Sequence, residues 1–396
     1  MSSVRNKSGA RAPRKPGGQP RVAVCIDTRD GPGRERLSGC YQYALERNWR
    51  LYLMREDNED EIGEMAALDL DGAIFYDRSR ALQAAVKRRG VLCIETGARH
   101  PDLADAAVFV DDGALARMAV GHLRAVGFEN VGYCGLASSH PSRERAAHLL
   151  REAAKAGLAA RAFEDKRRDG QLELARLRQW LDALPKPAGV LTYDDKMGER
   201  VLAACRWANI RVPDEIGVIG IGNDELICNV TLPCLSSVAL PARKIGQAAA
   251  AALERLMAGE KLETARLPLA PLEVVCRAST DRLPPARPAV LKAVGFIRAE
   301  SHRPVGTDQV AAAAGVPRRT LERAFRDDLG RTVHDCLVEL RVQNAKRLLR
   351  HTDLPLADVA GKNGYLSLSS FIRMFTAQTG KPPREYRRQH KPQGGD

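Results

Sequence analysis

From residue 21 onward, short runs of continuous apolar residues alternate with stretches whose apolar positions recur every three or four residues. RVAVCI (21–26), LYLM (51–54), DGAIFY (71–76), VLCIE (91–95), AVFVD (107–111), NVGYCG (130–135), a stretch near 160–163, GVLTY (189–193) and IGVIGIG (216–222) read as strands. Runs without in–out alternation predict strands covered on both faces. Helical spacing predicts helices over about 34–47, 112–126, 142–156, 171–184 and 195–208. Strands alternating with helices imply parallel sheets joined by crossover helices. The pattern runs through two similar lengths of chain, which predicts two similar α/β lobes. LEVVCR (272–277) reads as a late strand that returns to the first lobe. Two such lobes enclose a cleft, with ligands at the carboxyl ends of the strands.

The alternation stops at the proline-rich segment DRLPPARPAV (281–290), which reads as a stiff, exposed linker. Beyond it the spacing is helical throughout. Helices are predicted over 289–300, 307–314, 317–328, 332–351, 355–362, 368–379 and 383–389.

Charge sharpens this division. The formal net charge of the 396-residue chain is +13. Residues 1–20 carry five basic side chains and no acid, and residues 289–391 carry nineteen basic and ten acidic ones. The long stretch between is balanced. A basic C-terminal part favours a polyanionic partner. The first twenty residues have no apolar core of a signal peptide and read as a disordered basic arm. No run approaches a membrane span. The nine cysteines are scattered without a CxxC pair, several inside apolar runs. That usage fits buried thiols in a reducing cytoplasm and gives no support to a zinc site or a nucleophilic cysteine. The expected organisation is an arm (1–20), a two-lobe sensor (21–280), a linker (281–288), a helical domain (289–391) and a tail (392–396).

Within the helical domain, TDQVAAAAGVPRRTLERAFRDDLGRT (307–332) has a distinct plan. Thr307 or Asp308 can cap a short helix with Val310, Ala311 and Ala314 inward. Gly315 supplies a sharp turn, and Pro317 suits the start of a second helix. There Leu321, Phe325 and Leu329 share one face, leaving Arg318, Arg319, Arg323 and Arg326 outside. Helix, glycine turn and basic helix form a helix-turn-helix. The plan recurs over 356–388, with Val359 and Ala360 inward, Gly364 at the turn and Ser367 as cap. Phe371, Met374 and Phe375 face inward there, while Ser369, Ser370, Arg373 and Gln378 can point out. Between the two units, HDCLVELRVQNAKRLLR (334–350) is a long amphipathic helix. Two units on this plan outweigh the reading of a merely charged bundle.

On these residues the C-terminal part resembles the AraC/XylS family of transcription regulators. Gly364-Tyr365, Ser367, Phe371, Arg373, Phe375, Gly380, Pro382-Pro383 and Tyr386-Arg387 carry the likeness. The tract AGKNG departs from the usual residues before the turn. The resemblance implies two recognition helices in successive major grooves of double-stranded DNA. Arg318, Arg319, Arg323, Arg326, Ser369, Ser370 and Arg373 are then the DNA-contacting candidates, since arginine suits both phosphate and guanine.

Upstream, Asp194-Asp195, the phrase IRVPDEIGVIG and the stretch before 238 resemble the sugar-sensing core of the LacI/GalR regulators, a periplasmic-binding-protein-like fold. GLASSHPSRERAAHLL fits the place of that family's sugar-contacting arginine, with Arg145 the best match and Arg143 the second. The order of parts, sensor first and AraC-type unit last, resembles the xylose operon regulator group. The expected fold is thus a periplasmic-binding-protein-like α/β pair of lobes followed by an all-α domain with two helix-turn-helix units. Asp27, Arg145, Asp194, Asn223 and Asp224 are the ligand-binding candidates, because carboxylates, amides and arginine forks suit sugar hydroxyls. Plainer readings stand beside them: Asp195 as a helix cap, Asp27 as a turn cap, Asp224 or Glu225 as a solvated loop acid. The chain has Gly222 where that family has an aspartate, which puts the ligand's identity in question; Asn223 or Asp224 are the candidate substitutes.

The leading expectation is a cytoplasmic, homodimeric transcription regulator, an activator by resemblance. It binds a DNA operator, responds to a small sugar such as xylose and works with RNA polymerase. No catalytic residue, metal or cofactor is expected. The alternatives are a regulator with a degenerate or differently liganded cleft, a sugar-acting enzyme with an appended DNA-binding domain, and a transport-type solute-binding protein. The enzyme reading lacks a histidine beside Asp194-Asp195 and a phosphate-cradling loop after the first strand. The transport reading lacks a signal peptide and does not account for the helical domain.

Overall fold

Two parallel sheets with helices on both faces are built from interleaved parts of the chain. The computed structural model describes residues 18–54, 68–76, 80–97, 100–165, 174–282 and 287–390. Residues 1–17 of the basic arm, residues 283–286 of the proline-rich linker and the tail lie outside the described residues. Two compact units are formed, 1–282 and 283–396.

The first lobe begins with β1 (Arg21–Ile26), α1 (Gly31–Glu46), β2 (Arg50–Leu53), β3 (Gly72–Tyr76), α2 (Arg80–Arg88), β4 (Leu92–Glu95) and β5 (Ala106–Val110). The chain then crosses to the second lobe. There it forms α3 (Asp112–Ala125), β6 (Asn130–Leu136), α4 (His140–Lys155), β7 (Ala159–Asp165), α5 (Leu174–Ala183), β8 (Ala188–Thr192), α6 (Asp195–Trp207), β9 (Ile216–Gly222), α7 (Glu225–Val230) and β10 (Ser236–Ala239). It returns for α8 (Ala242–Met257) and β11 (Arg266–Leu269), then crosses again for β12 (Glu273–Val275).

The sheet orders are β11-β5-β4-β3-β1-β2 and β12-β10-β9-β8-β6-β7, so the two lobes share one strand order. Every pairing is parallel except β10 with β12. The late strand LEVVCR therefore belongs to the second lobe. Ser237 to Ala239 offer it an antiparallel edge, and β11 is the strand that returns to the first lobe.

The strands are covered on both faces, as continuous apolar runs require. In β1, Val22 and Val24 enter one core while Ala23 and Cys25 enter another, all within 1% of full burial. Helix α1 packs backbone to backbone on α8. A Cβ at Gly39 would stand 2.1 Å from the Arg243 carbonyl oxygen, and one at Gly246 2.1 Å from that of Arg36. Only glycine permits that approach, and it fixes where the side chains of α1 point. Seven of the nine cysteines are buried, and none forms a disulfide. No described helix is long and apolar enough to cross a membrane.

The second unit is helical: α9 (Pro288–Glu300), α10 (Thr307–Ala314), α11 (Arg318–Leu329), α12 (Val333–His351), α13 (Leu356–Gly361), α14 (Leu368–Thr379) and α15 (Pro383–His390). Two cores lie in it. One gathers α9 to α11 on the start of α12, and the other gathers α13 to α15 on its end. Helix α12 is thus shared by two small bundles.

Candidate functional site

The carboxyl ends of β3, β4, β5, β8 and β9 open onto a cleft between the two lobes. Three of its acids arrive as helix caps. A carboxylate just before a helix accepts an orphan N–H and faces the helix's positive end. Asp30 accepts from Gly33 N at 2.7 Å for α1, Asp194 from Met197 N at 2.7 Å for α6, and Asp224 from Leu226 N at 3.2 Å for α7. Each strand-to-helix turn lies at the cleft, so each cap stands there too.

Of the sequence-predicted ligand residues, Arg145, Asp194 and Asp224 line this cleft. Asp27 and Asn223 are committed to other partners. Asp27 takes a two-pronged bond from the Arg29 guanidinium, each at 2.8 Å. Asn223 Oδ1 accepts from Arg277 Nη2 at 2.8 Å, and its backbone N–H donates to Ser237 Oγ at 3.0 Å.

Arg145 Nε donates to Asp112 Oδ1 at 2.8 Å and its Nη1 to the Tyr193 carbonyl at 2.9 Å. Burial works against its charge, but Asp112 and the nearby Tyr193 and Tyr133 more than offset this and raise its pKa. Asp195 is not the cap of α6. That role needs the residue in extended conformation just before the helix, which is Asp194. Asp195 sits one residue on, 3% exposed, and accepts the Ser237 hydroxyl at 2.5 Å and the Asp224 N–H at 2.7 Å. Burial, only partly countered by these two bonds, pushes its pKa up to about 6.

Asp224 joins the lobes. Its Oδ2 accepts the backbone N–H of Gly31 at 2.7 Å and lies 3.6 Å from Arg34 Nη2, both on α1 of the first lobe. Gly222 lies next to this contact with φ +127°. A Cβ there would stand 2.8 Å from Pro32 Cγ and 3.0 Å from Asp195 Oδ2. The space a side chain would take at 222 is therefore closed by Pro32 of the opposite lobe and by Asp195.

Two cleft cations escaped the sequence reading. Arg36 on α1 and Lys196 on α6 both line the cavity. On sequence, RERLSG and DDKMGE look like solvated helix faces. Arg36 is instead 2% exposed, and its guanidinium carbon lies 3.7 Å from the Tyr76 ring centroid.

In the helical unit, Arg318, Arg319, Arg323 and Arg326 are exposed on α11, with Leu321, Ala324 and Phe325 buried behind them. Arg318 pairs with Asp308 at 3.3 Å. On α14, Ser369 and Arg373 are exposed, Ser370 is half-buried, and Phe371 and Phe375 are fully buried. Ser367 caps α14. Neither Thr307 nor Asp308 caps α10. Gly306 holds that position, and its N–H donates to the Gln309 side chain at 2.9 Å.

Arg341 of α12 ties the two bundles together. It donates to the carbonyls of Ser301, Arg303 and Val305 at 2.9–3.1 Å and lies over the Tyr365 ring at 5.3 Å. The unusual AGKNG tract is also accounted for. Asn363, 1% exposed, donates to Val359 O at 2.6 Å and accepts from Asn344 on α12 at 2.9 Å.

Comparison with known proteins bears on both units. Residues 120–280 match a periplasmic binding protein-like domain and residues 310–389 a helix-turn-helix domain. The chain is 29% identical over 380 residues to the xylose operon regulatory protein of Escherichia coli strain K12, covering 93% of this chain and 96% of that one. It is 30% identical over 286 residues to the xylose operon regulatory protein of Haemophilus influenzae, covering 71% and 74%. Among solved structures it is similar to a xylose-binding transcription activator, at 26% identity and TM-score 0.73, over 95% of this chain and all of that one.

Proposed function

The chain belongs to the family of xylose operon regulatory proteins, and from that membership we propose that it is a DNA-binding transcription regulator whose interlobe cleft takes a small sugar. Xylose is the first candidate effector. The observation that carries this reading is one chain holding both a polar cleft spanned by Asp224 and Gly31 and two recognition helices with exposed arginines.

The cleft works by population. A ligand contacting both lobes favours the arrangement in which Asp224 meets Gly31, in proportion to its differential affinity. Arg145, Asp194 and Asp30 present donors and acceptors to hydroxyls, and Tyr76, Phe109 and Tyr193 present rings to the sugar's C–H faces. On DNA, Arg319, Arg323 and Arg373 meet bases or phosphates, and Arg318 and Arg326 meet phosphate. The protein acts as a homodimer, because two linked contacts raise affinity on paired half-sites, and its likeness to a xylose-binding transcription activator supports a cytoplasmic activator that engages RNA polymerase.

The cleft binds rather than catalyses. Both Asp195 oxygens are committed to Ser237 and Asp224, and Asp194 gives one oxygen to its helix cap, which leaves it an acceptor for a hydroxyl. The test is selection of bound sequences from a random DNA library, with and without D-xylose. A single enriched motif whose retention changes with sugar supports the reading. No enrichment in either arm would sink the DNA claim, and enrichment indifferent to every sugar tried would sink the effector claim.

A further inference from the structure

The first lobe sends a buried charge into the cleft that no ion pair neutralises among the described residues. Arg36 is 2% exposed, and its Nε and Nη1 have no hydrogen-bond partner. The Tyr76 ring lies beneath it and steadies the guanidinium plane without accepting its hydrogen bonds. The backbone contact between α1 and α8 places it: the Arg36 carbonyl is the atom that Gly246 lies against. Lys196 faces the same cavity from the second lobe, half-buried and without an ion pair among the described residues. Both cations act on Asp30, whose carboxylate is already engaged with Gly33 N. Arg145, by contrast, is neutralised by Asp112.

A buried guanidinium without acceptors is costly, and such a group is retained where a ligand completes it. Neutral sugars offer hydroxyls, which Asp30 and Asp194 can already receive. Two cations on opposite walls, neither in an ion pair among the described residues, can receive an anion, and a planar guanidinium fork matches a carboxylate. We propose that the effector is a sugar acid whose carboxylate is received by Arg36 and Lys196 while its hydroxyls donate to the capping aspartates. This rests on the cleft being the effector site and narrows the class of ligand. A hexuronic acid such as D-glucuronate keeps the hydroxyl pattern of the xylose ring and adds the carboxylate.

The test is calorimetric titration of the full-length protein with D-xylose, D-glucuronate and D-xylonate. At least one acid is expected to bind about tenfold or more tighter than D-xylose, the scale of one charge-assisted hydrogen-bonded pair. Arg36→Gln is expected to lower the acid-over-xylose ratio about tenfold, and its ligand-free melting point is expected to stay at or above the parent's, since an unpaired buried charge is removed. Lys196→Gln, at a half-exposed position, lowers the ratio in the same direction and guards against misfolding of the first variant. Salt dependence separates a direct ion pair from a change in shape. Xylose binding as tightly as both acids, or a ratio unchanged in both variants, overturns the proposal and leaves the sugar reading intact. Binding of none of the three overturns both.

Discussion

The Asp224 carboxylate and the Gly31 backbone nitrogen, 2.7 Å apart, are the terminal groups of two helices in different lobes. The same carboxylate caps its own helix through Leu226 N, so one side chain serves both a local and a long-range bond. Asp224→Ser separates the two roles, because serine still caps but does not reach Gly31. The expected result is a larger radius of gyration in solution scattering without effector, and effector affinity weakened several-fold as the binding-competent state becomes rarer. Unchanged scattering and affinity would remove the interlobe role.

Asp195 makes stability depend on pH in the direction opposite to most carboxylates. Its pKa is raised from the ordinary 3.8 to about 6. Between those values the folded chain keeps a proton that the unfolded chain has released. Its contribution is therefore full below about pH 4 and is lost as pH rises through 6. Urea unfolding of the parent and of Asp195→Asn at pH 4 and pH 7 isolates this, since other groups cancel in the difference. The parent is expected to lose on the order of 2 kcal/mol relative to the variant over that range. A difference that stays flat with pH counts against the assignment.

Placing an aspartate at 222 is expected to harm the protein. The backbone conformation there, φ +127°, is strained for any side chain, and Pro32 occupies the space a Cβ would need. Gly222→Asp should melt lower by roughly 1–3 kcal/mol of stability and close less readily. A variant that melts like the parent and gains xylose affinity would mean that the two lobes part enough to admit the carboxylate.

Arg323 stands exposed in the middle of α11. Arg323→Ala is expected to weaken binding to the selected DNA about tenfold at fixed salt, with sugar affinity unchanged. If Arg323 meets phosphate, the salt slope falls by about one and sequence preference stays. If it meets a base, preference relaxes at one position. Equal DNA affinity for both proteins excludes either role.

Gly364 tests the tie between the two small bundles. A Cβ there would lie 2.2 Å from the Arg303 carbonyl oxygen and 2.9 Å from Arg341 Nη2, on a backbone at φ +72°. Gly364→Ala is expected to cost roughly 2–4 kcal/mol. It should appear as faster hydrogen exchange in both bundles at once, because Arg341 belongs to both. Loss of protection in α13 and α14 alone would assign Arg341 a local role.

The parallel strands were legible because burial on both faces leaves runs such as IGVIGIG without polar interruption. Several elements were not, each for a physical reason. Strand β11 contains Pro268, which sequence logic removes from a sheet; it is tolerated because β11 is an edge. Strand β10 begins with two serines that look like loop residues. Both are buried, one donating to Asp195 and one bonded to Thr280. Helix α8 is alanine-rich and turns small residues, Gly246, Ala249 and Ala250 among them, to its buried face. Of the five ligand candidates, three line the cleft: Asp194 and Asp224 follow strand ends, and resemblance places Arg145 at a helix start. Arg36 was not legible, because a charge in a helix reads as solvated until the packing of Gly39 and Gly246 turns it inward. In the helical unit, two glycine turns and the aromatic spacing of Phe371 and Phe375 were sufficient.

The interleaving of the lobes has a consequence for synthesis. The first lobe needs α8 and β11, and the whole of 112–239 is made before they are. A ribosome therefore delivers the second lobe's five parallel strands while the first lobe still shows an open edge at β5 and a bare face on α1. The nascent chain must hold that exposed surface through more than a hundred further residues, a period in which strand edges attract neighbours. Cutting the gene after residue 110 would fix the chain in that state, so neither lobe can be inherited, borrowed or expressed as a simple N-terminal half.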